Sequence, residues 1–178
     1  SYSVTGVQTC ALPIFGYRHF SLSTSGLVPK IRALADLQLP ITLCISLHSP
    51  FDEQRTEMMP INKSFQIKEV IQAVQYYIKK GGRRVSFEYA MINGLNDSMK
   101  HAQALASLVK DVFCHVNLIP LNKTDSPFQP TSRDQVERFK TLLTKEGVNV
   151  TVRRKAGEDV AAACGQLRRR FMDGGNCS

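Results

Sequence analysis

The chain has 178 residues, with 23 Lys and Arg against 15 Asp and Glu, and a formal net charge of +8. At 43% hydrophobic and 21% charged residues, it has the composition of a folded globular protein rather than a disordered tail. No apolar run approaches the ~20 residues that cross a bilayer. The five cysteines, Cys10, Cys44, Cys114, Cys164 and Cys177, are an odd number with no C-x-x-C spacing. That argues against a zinc finger, a locally ligated iron–sulfur cluster and a disulfide scaffold, and makes a reducing cytoplasm the expected compartment. The charge permits a polyanionic partner without requiring one.

Residues 4–14, VTGVQTCALPI, have no helical or strand period, and Pro13 interrupts any continuation. They resemble a translated sequencing-library adapter more than a protein segment, and the chain starts at Ser1 rather than Met. Residues 1–15, Cys10 included, are therefore expected to be a non-native segment, with the true beginning of the reading frame upstream. The other reading is a native N-terminal arm; a signal peptide would need a positively charged start, which is absent.

From Phe15 onward strand-like and helix-like stretches alternate. A strand is predicted over 18–24 and a helix over 28–37, with Val28, Ile31, Leu34 and Leu37 on one face. The strand ITLCISL follows at 41–47, then a polar connection with a short helix at 52–58. The helix at 67–80 places Ile67, Val70, Ile71, Val74 and Ile78 at helical spacing and stops at Gly81-Gly82. Next come a strand over 84–92, a helix over 98–109 and a strand over 114–119. A helix over 132–146 opens at Ser132 and stops at Gly147. The last strand is 148–153. Repeated β-α order predicts a parallel sheet with right-handed crossovers.

The strands alternate in polarity, whereas strands buried on both faces read as continuous apolar runs. Ile41, Leu43, Ile45 and Leu47 oppose Thr42, Cys44, Ser46 and His48. Val85, Phe87, Tyr89 and Met91 oppose Ser86 and Glu88. Val116 and Leu118 oppose His115 and Asn117. Val148, Val150 and Val152 oppose Asn149, Thr151 and Arg153. Phe20 and Leu22 oppose His19, Ser21 and Ser23. The apolar face receives the helices. The polar face is expected to line a cavity, because a closed apolar core does not accept Glu88, His115 and Arg153 without partners. A closed eight-stranded barrel fills its interior with branched aliphatics, so this sheet reads as part of an open barrel that holds a polar ligand.

The C-terminal strand ends run into Ser-Thr-Ser-Gly (23–26), Ser-Leu-His (46–48), Asn-Gly-Leu-Asn (93–96), Pro-Leu-Asn (120–122) and Arg-Arg-Lys-Ala-Gly (153–157). Parallel α/β folds bind ligands at this edge. Neither G-x-G-x-x-G nor a Walker A motif occurs, which argues against a nucleotide held by a glycine fingerprint. Cys164, in AAACGQL, reads either as a small buried hydrophobe or as a reactive thiolate favoured by Arg153-Arg154-Lys155. Cys44 and Cys114 lie inside strands and read as structural; Cys177 sits in a Gly-rich tail. His48 closes a strand, where it contacts a ligand or makes a structural hydrogen bond. Glu88 is a general base or, more plainly, half of a buried pair with Arg153. The runs Lys79-Lys80, Arg83-Arg84 and Arg168-Arg169-Arg170 are phosphate contacts or solvated faces.

Six stretches taken together resemble one family: STSGLVP (23–29), ISLHSP (45–50), RTEMMPINK (55–63), FEYAMINGLND (87–97), VNLIPLN (116–122) and AACGQL (162–167). Over about residues 16–170 the chain looks like the C-terminal half of the radical S-adenosylmethionine (SAM) ribosomal RNA adenine methyltransferases, the RlmN/Cfr group. The resemblance implies an α/β fold that is the C-terminal half of an open (β/α)6 partial barrel with a parallel sheet. It implies SAM and a [4Fe-4S] cluster as cofactors, with methylation of adenine C2 in large-subunit ribosomal RNA. It further implies tRNA as a second substrate in many members, C8 chemistry in the Cfr branch, and a reductant for the cluster. The residues matching the family's SAM contacts are Ser23, Ser46, Leu47, His48 and Asn122. Cys164 matches the cysteine that accepts a methyl group, whose adduct with RNA a second cysteine resolves by forming a disulfide.

The cluster motif C-x3-C-x2-C, the resolving cysteine and the Gly-Glu SAM motif of the family are absent from the chain. The expected organisation is a non-native segment at 1–15, a partial barrel at 16–155 and a segment at 156–178 carrying the methyl-carrier cysteine. No metal ligands are assigned, this chain alone is expected to be inactive, and the full-length protein is expected to be a monomer away from membranes. Two other readings compete: a non-catalytic RNA-binding piece, and an unrelated α/β enzyme that binds a phosphorylated substrate.

Overall fold

The structure, a computed structural model, describes residues 16–121 and 128–153. Five strands form one sheet in the order β1-β2-β3-β4-β5, with every pairing parallel. They are β1 Ser21–Thr24, β2 Thr42–Ser46, β3 Val85–Met91, β4 Cys114–Pro120 and β5 Val150–Val152. The helices are α1 Val28–Asp36, α2 Asp52–Met58, α3 Ile67–Lys79, α4 Met99–Val109 and α5 Arg133–Lys145. A doubly wound sheet reverses its strand order at a switch point. This one does not, so consecutive right-handed crossovers put their helices on one side, as in a barrel wall.

Local chemistry sets the helices. In α3, Gln66 and Glu69 form a capping box, with Glu69 Oε2 accepting from the Gln66 N–H at 2.9 Å. Its residues Ile67, Val70, Ala73, Val74 and Tyr77 are buried along one stripe. Ser98 and Ser132 cap α4 and α5, their side chains accepting from the N–H groups of His101 and Gln135. Each such cap matches one of the orphan donors of a helix start and contributes about 1 kcal/mol. Gly81 and Gly147 follow α3 and α5 with φ of 92° and 81°, a left-handed conformation that a side chain disfavours.

The core lies between sheet and helices. Leu43, Ile45, Phe87, Tyr89, Val116 and Leu118 are 0% exposed from the strands, and Val70, Val74, Leu105, Phe139 and Leu143 meet them from α3, α4 and α5. Three boundaries differ from the periodicity. Residues 17–19 form a 3-10 turn rather than the start of β1, closed by His19 N–H donating to Gly16 O at 2.9 Å; the ladder with β2 begins at Ser21↔Thr42. Residues 60–63, Pro60–Lys63, form a second 3-10 turn. Val148 does not join β5, because its N–H donates to Leu143 O and closes the end of α5. Phe20, just before β1, and Leu22 on β1 are 49% and 44% exposed, so the apolar face is incompletely covered at that edge.

Candidate functional site

Register turns the alternation of single strands into rows across the sheet. Ser23 pairs with Cys44, Cys44 with Ser86 and Ser86 with His115. One pleat further on, Ser46 pairs with Glu88, Glu88 with Asn117 and Asn117 with Thr151. Aligned residues of parallel neighbours point to the same face, so two polar rows cross the face opposite the helices. The rows are cross-linked: the His115 ring meets Thr151 Oγ1 at 2.8 Å, and Thr151 Oγ1 donates to Asn117 Oδ1 at 3.4 Å. Among the described residues this face is open rather than an enclosed cavity; Ser23, Thr151 and Arg153 are exposed and the residues between them half-buried. Cys44 lies in the first row beside Ser23, not in the core.

Above these rows the strand-end loops are tied down. Thr24 Oγ1 accepts from the N–H groups of Gly26 and Leu27 at 3.3 and 3.4 Å. Gly26 has φ 103°, and a Cβ there would lie 3.0 Å from Val70 Cγ2 and 3.1 Å from Arg55 Nη2, so the close approach and the backbone both require glycine. After β2, the N–H groups of Leu47 and His48 donate to Glu88 O at 3.0 and 3.4 Å. His48 takes φ 60°, and its Nδ1 accepts from the Ala90 N–H at 3.1 Å. After β3, the side chain of Asp97 accepts from Gly94 N–H at 3.0 Å and from Thr131 Oγ1 at 3.0 Å.

Burial, aided by the Arg55 guanidinium, pushes the His48 imidazolium down to about 4. The imidazole is therefore neutral near pH 7, with Nδ1 an acceptor and the proton on Nε2. Burial, then the Arg84 charge, also lowers His115. Burial pushes the Cys114 thiol up to about 11. Cys44 is raised as well, by burial and then by the Glu88 carboxylate. Neither thiol is poised as a nucleophile, because the thiolate is the reactive form.

Of the expected ligand residues, Ser23, Ser46, Leu47 and His48 come together at the ends of β1 and β2. The Leu47 side chain is 0% exposed and belongs to the core, spacing Ser46 from His48. Asn122 and Cys164 lie outside the described residues, as do residues 1–15 and the Arg168-Arg169-Arg170 run. The buried Glu88–Arg153 pair is not found. The ion pairs of the described residues are Lys80–Asp36 and Lys140–Glu137, both exposed; Arg153 stands beyond β5, with β4 between it and β3, and is exposed. Cys44 and Cys114 are free thiols, and among the described residues no group of three or more His, Cys, Asp and Glu is placed to hold a metal ion. No helix of the described residues is long and apolar enough to cross a membrane. Sequence reasoning gave Arg55, Asn62 and Asn96 no role; all three are buried at the strand ends. Their sequence signal was membership of the motifs RTEMMPINK and FEYAMINGLND and, for Asn96, its place in the strand-end stretch 93–96.

Comparison with known proteins places this arrangement. No family model matches the chain. The crystal structure of a radical SAM methyltransferase from Sphaerobacter thermophilus superposes with a TM-score of 0.82 at 45% identity, covering 86% of this chain and 46% of that one. A domain of a pyruvate-formate lyase-activating enzyme from Bacteroides vulgatus gives a TM-score of 0.60 at 16% identity, over 75% of this chain and 80% of that one, a likeness of fold alone. The five-stranded parallel sheet is thus part of a radical SAM barrel. A probable dual-specificity RNA methyltransferase RlmN of Desulforamulus reducens is 52% identical over 157 residues, 88% of this chain and 45% of the relative. A protein of the same name from Bacillus subtilis is 50% identical over 154 residues, 86% of this chain and 42% of the relative. Over the stretch it spans, the chain is similar to the RNA methyltransferases named RlmN and to a radical SAM methyltransferase; that stretch is less than half the length of these curated relatives.

Proposed function

We propose that this chain is the C-terminal half of an RNA methyltransferase that modifies C2 of an adenine in large-subunit ribosomal RNA, with tRNA as a second substrate. The observation that carries the reading is the convergence of Ser23, Ser46 and His48 at one end of two polar rows, in a sheet homologous to that of the radical SAM methyltransferases. These residues fit SAM. The exposed Ser23 hydroxyl, the half-buried Ser46 hydroxyl and a neutral imidazole suit a ligand carrying an amino acid, a ribose and an adenine, since each offers directional hydrogen bonds without a fixed charge. Ser23, Ser46 and His48 would hold SAM with Asn122, and Leu47 would set their spacing. When bound, SAM supplies the methyl group.

The described residues do not fit a [4Fe-4S] cluster. Such a cluster takes several thiolates at one point, whereas Cys44 is on the polar face and Cys114 is buried on the helical face. The cluster, the reductant it needs and the resolving cysteine are assigned to a part of the protein that this chain does not contain. Cys164 would be the methyl carrier in this reading, its thiolate accepting the methyl group that SAM would supply. The domain limits 16–155 and 156–178, a cytoplasmic location and a monomeric state belong to the same proposal.

The test is a full-length protein with these residues, assayed for methyl transfer to ribosomal RNA fragments and for SAM affinity. Cys164→Ala should abolish methylation and spare SAM binding. Ser23→Ala or Asn122→Ala should weaken SAM binding by about 1–3 kcal/mol, the cost of a lost buried hydrogen bond. Full methylation by Cys164→Ala would overturn the carrier role, and undiminished SAM binding by both other variants would overturn the site.

A further inference from the structure

Arg55 and Asn62 in RTEMMPINK and Asn96 in FEYAMINGLND have no part in the function proposed above, yet the fold brings them to one turn. Arg55 is 0% exposed and makes no ion pair among the described residues. Its guanidinium instead reaches four oxygens. Nε donates to Leu47 O at 3.1 Å, Nη1 to Asn62 Oδ1 at 2.6 Å, and Nη2 to Ser25 O at 2.7 Å and Ser46 O at 3.1 Å. A buried cation is tolerated only when its donors are matched. Three of these acceptors are main-chain carbonyls of the loops that carry Ser23, Ser46 and His48. Asn62 is fixed in turn, its Nδ2 donating to Asp52 O, Asp52 Oδ1 and Thr56 Oγ1.

Asn96 approaches from the other side. It is 0% exposed, donates through Nδ2 to His48 O and Ala90 O at 2.7 Å each, and accepts the Ile92 N–H at 2.8 Å. Between the two clamps lies His48, with φ 60°. The Ser49 N–H donates back to Leu47 O at 2.8 Å. An i→i+2 hydrogen bond around a residue of positive φ is a γ-turn of the rare, strained hand. Such strain persists only where the surroundings over-determine it.

We infer that Arg55 and Asn96 are positioning residues. By holding the carbonyl oxygens of Leu47 and His48 from two sides, they keep His48 in its left-handed turn, with Nδ1 of the ring bound to the Ala90 N–H and Nε2–H left as the donor presented to the ligand. Among the described residues Nε2 has no other hydrogen-bond partner. Without Asn96 the His48 carbonyl loses its donor, the residue relaxes toward negative φ and the ring leaves Ala90. Without the Arg55 fork the two loops lose their common anchor, since a lysine offers three donors from one nitrogen and cannot span them. The inference rests on the reading of this loop as part of the SAM site.

Two measurements on the full chain test it. The first needs no ligand: 15N-histidine labelling, with the His48 signal assigned by its loss in His48→Gln. The full chain should show one tautomer at His48, protonated on Nε2, and Asn96→Ser and Arg55→Lys should show a mixture of both. The second is SAM affinity, where each variant should lose about tenfold, the factor for one well-placed hydrogen bond. In a His48→Gly background, where positive φ is unstrained, Asn96→Ser should lose little more. An unchanged tautomer in folded Asn96→Ser and Arg55→Lys would overturn the inference, and so would an equal loss of affinity in both backgrounds. A wild-type full-length protein that binds no SAM would sink the function proposed above, while the tautomer measurement would still decide the positioning role.

Discussion

The Tyr89 hydroxyl donates to the backbone carbonyl of Asn96 at 2.8 Å, in the core at the end of β3, where Tyr89 and Asn96 are both 0% exposed. A residue on the helical face of the sheet thereby supports the loop whose Asn96 side chain grips His48 on the opposite side. Burial, then the Asp97 carboxylate, pushes the phenol far up, so it stays protonated and donating at any pH the fold survives.

That bond predicts the behaviour of Tyr89→Phe. The ring packing against Phe139, with centroids 5.5 Å apart, would be kept, while the Asn96 carbonyl would lose a buried donor. The expected cost is about 1–2 kcal/mol, read as a lower urea midpoint at unchanged m-value. A midpoint equal to that of the parent chain would show that the hydroxyl contributes nothing to holding the loop.

Acid should unfold the protein through His48. The folded state binds the proton at about pH 4, whereas an exposed histidine binds it near 6.5. Between these values the unfolded chain holds more protons, so stability is complete above pH 6.5 and falls as the pH drops toward 4. The His48 share is on the order of 3 kcal/mol. His101 and His115, both lowered chiefly by burial, act in the same direction. Unfolding free energies measured from pH 4 to 8 should show a shallower acid limb in His48→Gln. An identical limb would assign the acid sensitivity to other groups.

Amide exchange should distinguish the edges of the sheet from its centre. β1 pairs on one side only, with β2, whereas β3 has β2 and β4 on its flanks, and the exposed Phe20 and Leu22 leave β1 with the least apolar cover. Amides of Ser21–Thr24 should exchange by local opening, well ahead of those of Val85–Met91. Equal protection of the two strands would mean that something covers the β1 edge in solution.

Period and punctuation along the chain were enough for the elements. The stripe of Ile67, Val70 and Val74, the caps Ser98 and Ser132 and the stops Gly81 and Gly147 act within a few residues of one another, so local sequence carries them. Alternation in β2, β3 and β4 likewise told which side chains share a face, since the pleat has a period of two. Sequence by itself thus determined a parallel α/β sheet with one apolar and one polar face, and set Ser23, Ser46 and His48 at its strand ends.

Tertiary structure decided what those residues meet. Only register aligns Ser23 with Cys44 and Ser46 with Glu88, and it leaves Arg153 without the Glu88 partner that their shared polar face had suggested. Arg55 is the clearest case. In a short helix written DEQRTEM an arginine reads as solvated, because five of its six companions there are polar or charged. It is buried because carbonyls from residues 25, 46 and 47 converge on its guanidinium. Acceptors supplied by distant backbone leave no mark on the local pattern, so the clamp that holds His48 exists only once the sheet has formed.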